Sequence, residues 1–108
     1  MGLELQKKQD GSRSDKPLTK ARPQKLVVDN VSSSFFTIVE VTAWDYPGLL
    51  FRITDALFRC QLDIWVAKIA TKVDQVLDVF YVRSFDGEKM DQPEQEEAIR
   101  QAVEAVLI

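Results

Sequence analysis

Apolar residues recur along this chain with two different periods, and the switches between them mark out its elements. Lys25-Leu26-Val27-Val28-Asp29 reads as a short strand, and Asn30-Val31-Ser32-Ser33-Ser34 supplies turn residues before a longer apolar run. That run, Phe35 to Ala43, is rich in the β-branched and aromatic residues that suit a pleated surface, so the two segments form a hairpin. From Pro47 to about Gln61 the period changes. Leu50, Ile53, Leu57 and Cys60 keep a helical spacing and put one face of a helix on a core. Two strands follow, Leu62 to Thr71 and Val76 to Ser84, joined as a second hairpin through Lys72-Val73-Asp74-Gln75. Asp86-Gly87-Glu88-Lys89 breaks the chain. Asp91-Gln92-Pro93-Glu94 then gives a helix start with acids in its first turn, leading to Ile99, Ala102, Val103 and Val106 on one side.

The order ββαββα is an α+β layout, an antiparallel sheet with two helices on one face. It corresponds to a shifted ferredoxin-like fold. In the usual order a final strand pairs with the first at the sheet edge; here the sequence ends at Ile108 after the second helix. The extra N-terminal strand, paired with Phe35 to Ala43, is expected to fill that edge.

Residues two apart on a strand share a side of the sheet, which permits a guess at its faces. Putting Glu40, Lys68 and Asp78 on the open side places Val39, Val41, Trp65, Ala67, Ile69, Leu77, Val79 and Tyr81 against the helices. Phe36, Ile38, Ile64, Val66, Phe80 and Val82 would then accompany the three charges. An open face that apolar points to contact with a second copy or a neighbouring domain.

Composition narrows the possible chemistry. The chain has 108 residues, 45% of them hydrophobic, enough for one small core and little room for an elaborate active site. There is no histidine, the commonest general base and metal ligand, and no catalytic residue, metal site or cofactor is expected. The single cysteine, Cys60, lies at a helix end among apolar residues and reads as a small buried hydrophobe. No apolar run approaches the length of about 20 residues that crosses a bilayer, and no signal-peptide core is present, so no membrane contact and a cytoplasmic setting are expected. Residues 1–25 carry a net +4, leaving −7 for the rest of a chain whose total is −3. Residues 1–24 lack apolar periodicity and read as a flexible basic tail or linker ahead of one domain, 25–108. The tail has no aromatics and the remainder is acidic, so nucleic acid is not an expected partner.

The most informative stretch is Asp45-Tyr46-Pro47-Gly48-Leu49-Leu50, where strand gives way to helix. Proline suits the first helical position, because its missing N–H would be unpaired there anyway. Gly48 would then sit second, leaving the N–H groups of Gly48 and Leu49 open to an anion that the helix dipole also favours. Asp45 offers the opposite chemistry, accepting from an ammonium. Together they match the two ends of a free α-amino acid; the same six residues also read as an ordinary strand-to-helix turn.

At this level of detail the chain resembles the ACT domain, a small amino-acid-sensing regulatory module. The resemblance rests on Thr37-Ile38-Val39-Glu40-Val41, the Asp45 to Leu50 run, Leu62-Asp63-Ile64 and Ala67-Lys68-Ile69-Ala70-Thr71. Val28-Asp29-Asn30-Val31-Ser32-Ser33, and Asp78-Val79-Phe80-Tyr81-Val82 followed by Gly87-Glu88-Lys89, are similar to the C-terminal ACT domains of the bacterial PII uridylyltransferase/uridylyl-removing enzymes. It covers about Lys25 to Leu107. Tyr46 departs from it, standing where arginine is common in those enzymes. The resemblance implies a glutamine-sensing regulatory domain of nitrogen metabolism, without catalytic residues of its own, acting as a homodimer or paired with another ACT domain. It also implies a ligand lying between the strand-to-helix loop and the strand that follows the helix. Asp63 and Ile64 would then join Asp45, Tyr46, Pro47, Gly48 and Leu49 as ligand-binding residues, although Asp63 alone also reads as a surface or capping carboxylate.

Two other classes share this topology. RNA-recognition domains stack bases on sheet aromatics, but Phe80 and Tyr81 are adjacent and pleating sends them to opposite faces. An acylphosphatase-like enzyme needs an arginine in the anion loop, and Asp45 to Gly48 has none. The main rival to a sensor is an ACT-type interaction module that pairs without a ligand.

Overall fold

A computed structural model describes residues 24–107, so the expected tail lies almost wholly outside the described residues. Seven elements follow in order: β1 (Lys25–Asp29), β2 (Thr37–Trp44), α1 (Leu49–Arg59), β3 (Leu62–Lys68), β4 (Thr71–Lys72), β5 (Gln75–Ser84) and α2 (Pro93–Glu104). The antiparallel sheet runs β1-β2-β5-β3, with β4 also paired to β5. The N-terminal strand therefore takes the edge expected for it, Leu26 opposite Val41 and Val28 opposite Val39. Ile53 and Leu57 of α1 and Ile99 and Val103 of α2 share one buried cluster with Val39, Val41, Phe80 and Val82, which sets both helices on the same side of the sheet. Pro93 is at the first position of α2, and the Gln95 side chain accepts from the Gln92 N–H at 3.1 Å while the Gln95 N–H donates to the Gln92 carbonyl at 2.9 Å.

The expected second long strand is interrupted. Ile69 and Ala70 leave the ladder, and the short β4 closes a two-residue turn at Val73 and Asp74. Val73 takes a positive φ of 60°, unusual for a β-branched residue, and is fully in solvent.

The expected strand faces are corrected in two places. On β5, Val76, Asp78, Phe80 and Val82 turn towards the helices, being buried and opposite Ala43, Val41, Val39 and Thr37. Leu77, Val79 and Tyr81 occupy the open side. The expectation puts the strand's one carboxylate in water, but both phases are apolar and only packing separates them. On β3 the register slips between Ile64 and Val66, so Trp65 is an extra residue, a β-bulge. Ile64 thereby faces the helices and Trp65 the open side, where Arg83 lies over its ring at 4.4 Å.

The cost of turning Asp78 inward is met at the break in β3. Its carboxylate accepts from the Ala70 N–H at 3.2 Å, while the Ala70 carbonyl still accepts from the Leu77 N–H of β5 at 2.9 Å. Burial raises its pKa above the ordinary 3.8, the Ala70 bond opposes this, and the Asp45 charge adds to it. A folded-state pKa above the unfolded one means that the native state holds more protons, so this group's contribution to stability declines as pH rises from about 3.8. Asp78→Asn keeps the acceptor and removes the charge. The stability of the variant relative to the parent is therefore expected to improve in urea denaturation as pH rises above about 3.8 and to level off once the native carboxyl is ionised; a pH-independent difference would contradict the burial of this carboxylate.

Candidate functional site

The strand-to-helix junction is built as a turn. Leu49 N–H donates to the Tyr46 carbonyl at 3.0 Å, which closes Tyr46-Pro47-Gly48-Leu49. Gly48 has φ 88° and ψ 2°, the third-residue geometry of a type II turn, with proline in its favoured place just before. The helix thus starts at Leu49, two residues later than the proline signal implied. Glycine is required for its positive φ, since a Cβ at Gly48 would meet nothing within 4 Å. One expected donor changes accordingly. Leu49 N–H is engaged, while those of Gly48, Leu50 and Phe51 have no partner among the described residues. These three groups surround the positive end of the α1 dipole.

The turn is held from two sides. The Asp45 N–H donates to the Asp74 carbonyl at 2.8 Å, tying the loop to the β4–β5 hairpin. The Tyr46 hydroxyl donates to the carbonyl of Val106 just beyond α2, fixing the loop to the far helix. Tyr46 therefore has a structural contact that its place in the loop did not reveal. The side chain of Asp45 is exposed and unpartnered among the described residues. Together with Asp74 it borders an open cleft of about 540 Å³ that also includes Tyr46, Pro47, Gly48, Leu49, Leu50 and Phe51. Two carboxylates and open backbone N–H groups can accept from an ammonium and donate to a carboxylate in the same space.

Asp63 and Ile64 are not brought into that cleft. They lie at the start of β3, beside the C-terminal end of α1, and border a separate groove of about 300 Å³ with Phe58 and Thr54. At 1.5 Å per residue the 11-residue helix puts roughly 16 Å between the two halves. Phe51 lines both spaces. β3 is an edge of the sheet and Asp63 is exposed, as is the chain from Trp65 to Lys68.

Among the described residues no three His, Cys, Asp or Glu side chains gather in a way that could hold a metal, and no helix is long and apolar enough to cross a membrane. Cys60, expected to be buried, is only half-buried, and burial raises its thiol pKa.

No family model matches the chain. Curated proteins do resemble it. It is 42% identical over 83 residues to the bifunctional uridylyltransferase/uridylyl-removing enzyme of Novosphingobium aromaticivorans, covering 77% of this chain and 9% of that protein. The enzyme of the same description from Gluconobacter oxydans is 39% identical over 85 residues, 79% of this chain and 9% of its own length. That of Bradyrhizobium diazoefficiens is 34% identical over 93 residues, 82% of this chain and 10% of its own length. The chain spans about a tenth of the length of the curated relatives it matches.

Proposed function

We propose that this chain is a regulatory ACT-type domain that binds a free α-amino acid, with glutamine as the ligand. The observation that carries the reading is the type II turn at Tyr46 to Leu49, which leaves backbone donors open beside the Asp45 carboxylate in one cleft. The likeness to a tenth of the bifunctional uridylyltransferase/uridylyl-removing enzymes supports a regulatory rather than catalytic part, in a cytoplasmic nitrogen-regulating protein. The α-carboxylate would lie on the N–H groups of Gly48, Leu50 and Phe51, and the α-ammonium on Asp45.

The separation of Asp63 and Ile64 from this cleft fits a site completed by pairing, with a homodimer or a second ACT domain. Among the described residues β3 is an unpaired edge, and it runs antiparallel to α1. Two such edges joined about a two-fold axis set the Asp63 end of one strand near the α1 N-terminus of the other chain. A ligand bound across that seam favours the paired state, because it binds only there with both sets of contacts.

Titration with glutamine, followed by heteronuclear NMR, tests the reading. Saturable shifts at the Gly48, Leu50, Phe51 and Asp63 amides are expected, stronger than with glutamate, glycine or serine. Gly48→Val forces a β-branched residue to φ 88°, costing about 1–2 kcal/mol, and disturbs the turn that presents the donors. It is expected to abolish those shifts while leaving pairing intact. The second reading, an interaction module without a ligand, is favoured by the exposed Phe51 and Phe58 beside the free β3 edge. It predicts normal pairing and no glutamine response in either protein.

A further inference from the structure

The sheet face turned away from the helices carries a self-complementary pattern. Glu40, Val79 and Lys68 stand side by side across β2, β5 and β3 in a single row, since Val79 is opposite Glu40 on one flank and Lys68 on the other. Neighbouring strands are about 4.8 Å apart, so the two charges flank Val79 at equal distances. Neither has an ion-pair or hydrogen-bond partner among the described residues; the Lys68 ammonium lies 5.3 Å from the centre of the Tyr81 ring. Around the row Trp65 is 56% exposed, Val66 45%, Leu77 44% and Trp44 36%. So much apolar surface on one side of a small sheet marks a docking face.

We propose that this face docks on the same face of a second copy, about a two-fold axis that runs along β5 through Val79. A half-turn about that axis exchanges the two flanks. Glu40 of each copy then lies over Lys68 of the other, and Val79 lies over Val79. The other in-plane two-fold, perpendicular to the strands, would stack Glu40 on Glu40 and Lys68 on Lys68, so charge selects the first. Sheets packed face to face lie about 10 Å apart, a gap that a glutamate and a lysine span between them. Arg83 lies towards the strand end, folded over Trp65 and Phe36. The packing angle of about 30° displaces such end residues from the axis, so the two guanidinium groups do not stack. Two copies joined at β3 edges leave this face free, and the contact involves no amino-acid ligand. It is therefore independent of the proposed sensing.

A cysteine reporter separates this contact from edge pairing, because β5 is flanked on both sides by strands and Val79 cannot meet Val79 through an edge. In the full chain carrying Cys60→Ser, Val79→Cys is expected to be joined to its counterpart by a bis-maleimide with a two-carbon spacer, which bridges backbones about 10 Å apart where a disulfide cannot, seen as a doubled band on a denaturing gel and as doubled mass in sedimentation. Glu40→Lys or Lys68→Glu, added singly, places two pairs of like charge in the symmetric contact and should slow cross-linking about tenfold. The combined Glu40→Lys/Lys68→Glu variant recreates both pairs and should restore it. Circular dichroism establishes that each variant is folded. No cross-linking beyond that of an exposed control cysteine, indifference to the single reversals, or no recovery in the combined variant would each overturn the proposal; a neighbouring domain or a nucleic acid covering the face would give the first of these.

Discussion

Phe80→Ala is expected to remove about 3–5 kcal/mol of stability, whereas Tyr81→Ala, one residue further along, should remove only about 1–2 kcal/mol. Phe80 is fully buried on β5, opposite Val39 on one side and Ala67 on the other, and its ring is the largest wholly buried side chain among the described residues. Truncation leaves a cavity beneath both helices that the flanking strands cannot close. Tyr81 is half-buried on the open face, edge-on to Phe36 at 6.0 Å, and its loss opens a surface rather than a void. Since small domains hold only about 5–15 kcal/mol, the first variant should be close to unfolding at room temperature. Urea denaturation of the pair decides the phase of β5. A larger loss for Tyr81→Ala would mean that the strand faces are the other way round, as the charge pattern alone implied.

Asn30→Ala should cost about 2–4 kcal/mol although the residue sits in a loop. Its amide donates to the Met90 carbonyl at 3.0 Å and to Glu96 at 2.6 Å, and its oxygen accepts from the Thr37 hydroxyl at 2.6 Å. Thr37 is wholly buried and its hydroxyl in turn accepts from Met90 N–H at 2.9 Å. Without Asn30 a buried hydroxyl proton has no acceptor and the start of α2 loses its tie to the β1–β2 loop. Thr37→Val should be comparably harmful. The double variant should lose clearly less than the sum, because the two residues share one bond. Additive losses in denaturation would mean that the network does not act as a unit.

The elements themselves were legible because their signals are local. The 3.6-residue spacing of Ile53 and Leu57, the proline before Glu94 and the polar Asn30 to Ser34 stretch each depend on neighbours a few positions away, and each element lies within a few residues of its expected place. The candidate cleft was legible in part for the same reason. Pro47 and Gly48 announced a special backbone between strand and helix, but two helices begin near prolines here and only one has proline at its first position. At Pro47 the following glycine allows a type II turn, which delays α1 to Leu49 and engages a donor that the simpler reading left open.

What the sequence by itself determined is the α+β order, the N-terminal strand at the sheet edge, the strand-to-helix junction at Pro47 and Gly48 and the chemical character of Asp45 beside a helix start. All of these follow from short-range propensity and periodicity. Only the tertiary structure decided the phase of β5, the bulge at Trp65, the burial of Asp78, the tether from Tyr46 to Val106, and the distance of Asp63 from the cleft. On β5 apolar residues fill both phases, and a lone carboxylate faces water unless a backbone donor from another strand meets it. Ala70 is such a donor, eight residues away and brought close by a break in the neighbouring strand. Long-range pairing of that kind depends on which groups the fold leaves without partners, and no local pattern encodes it.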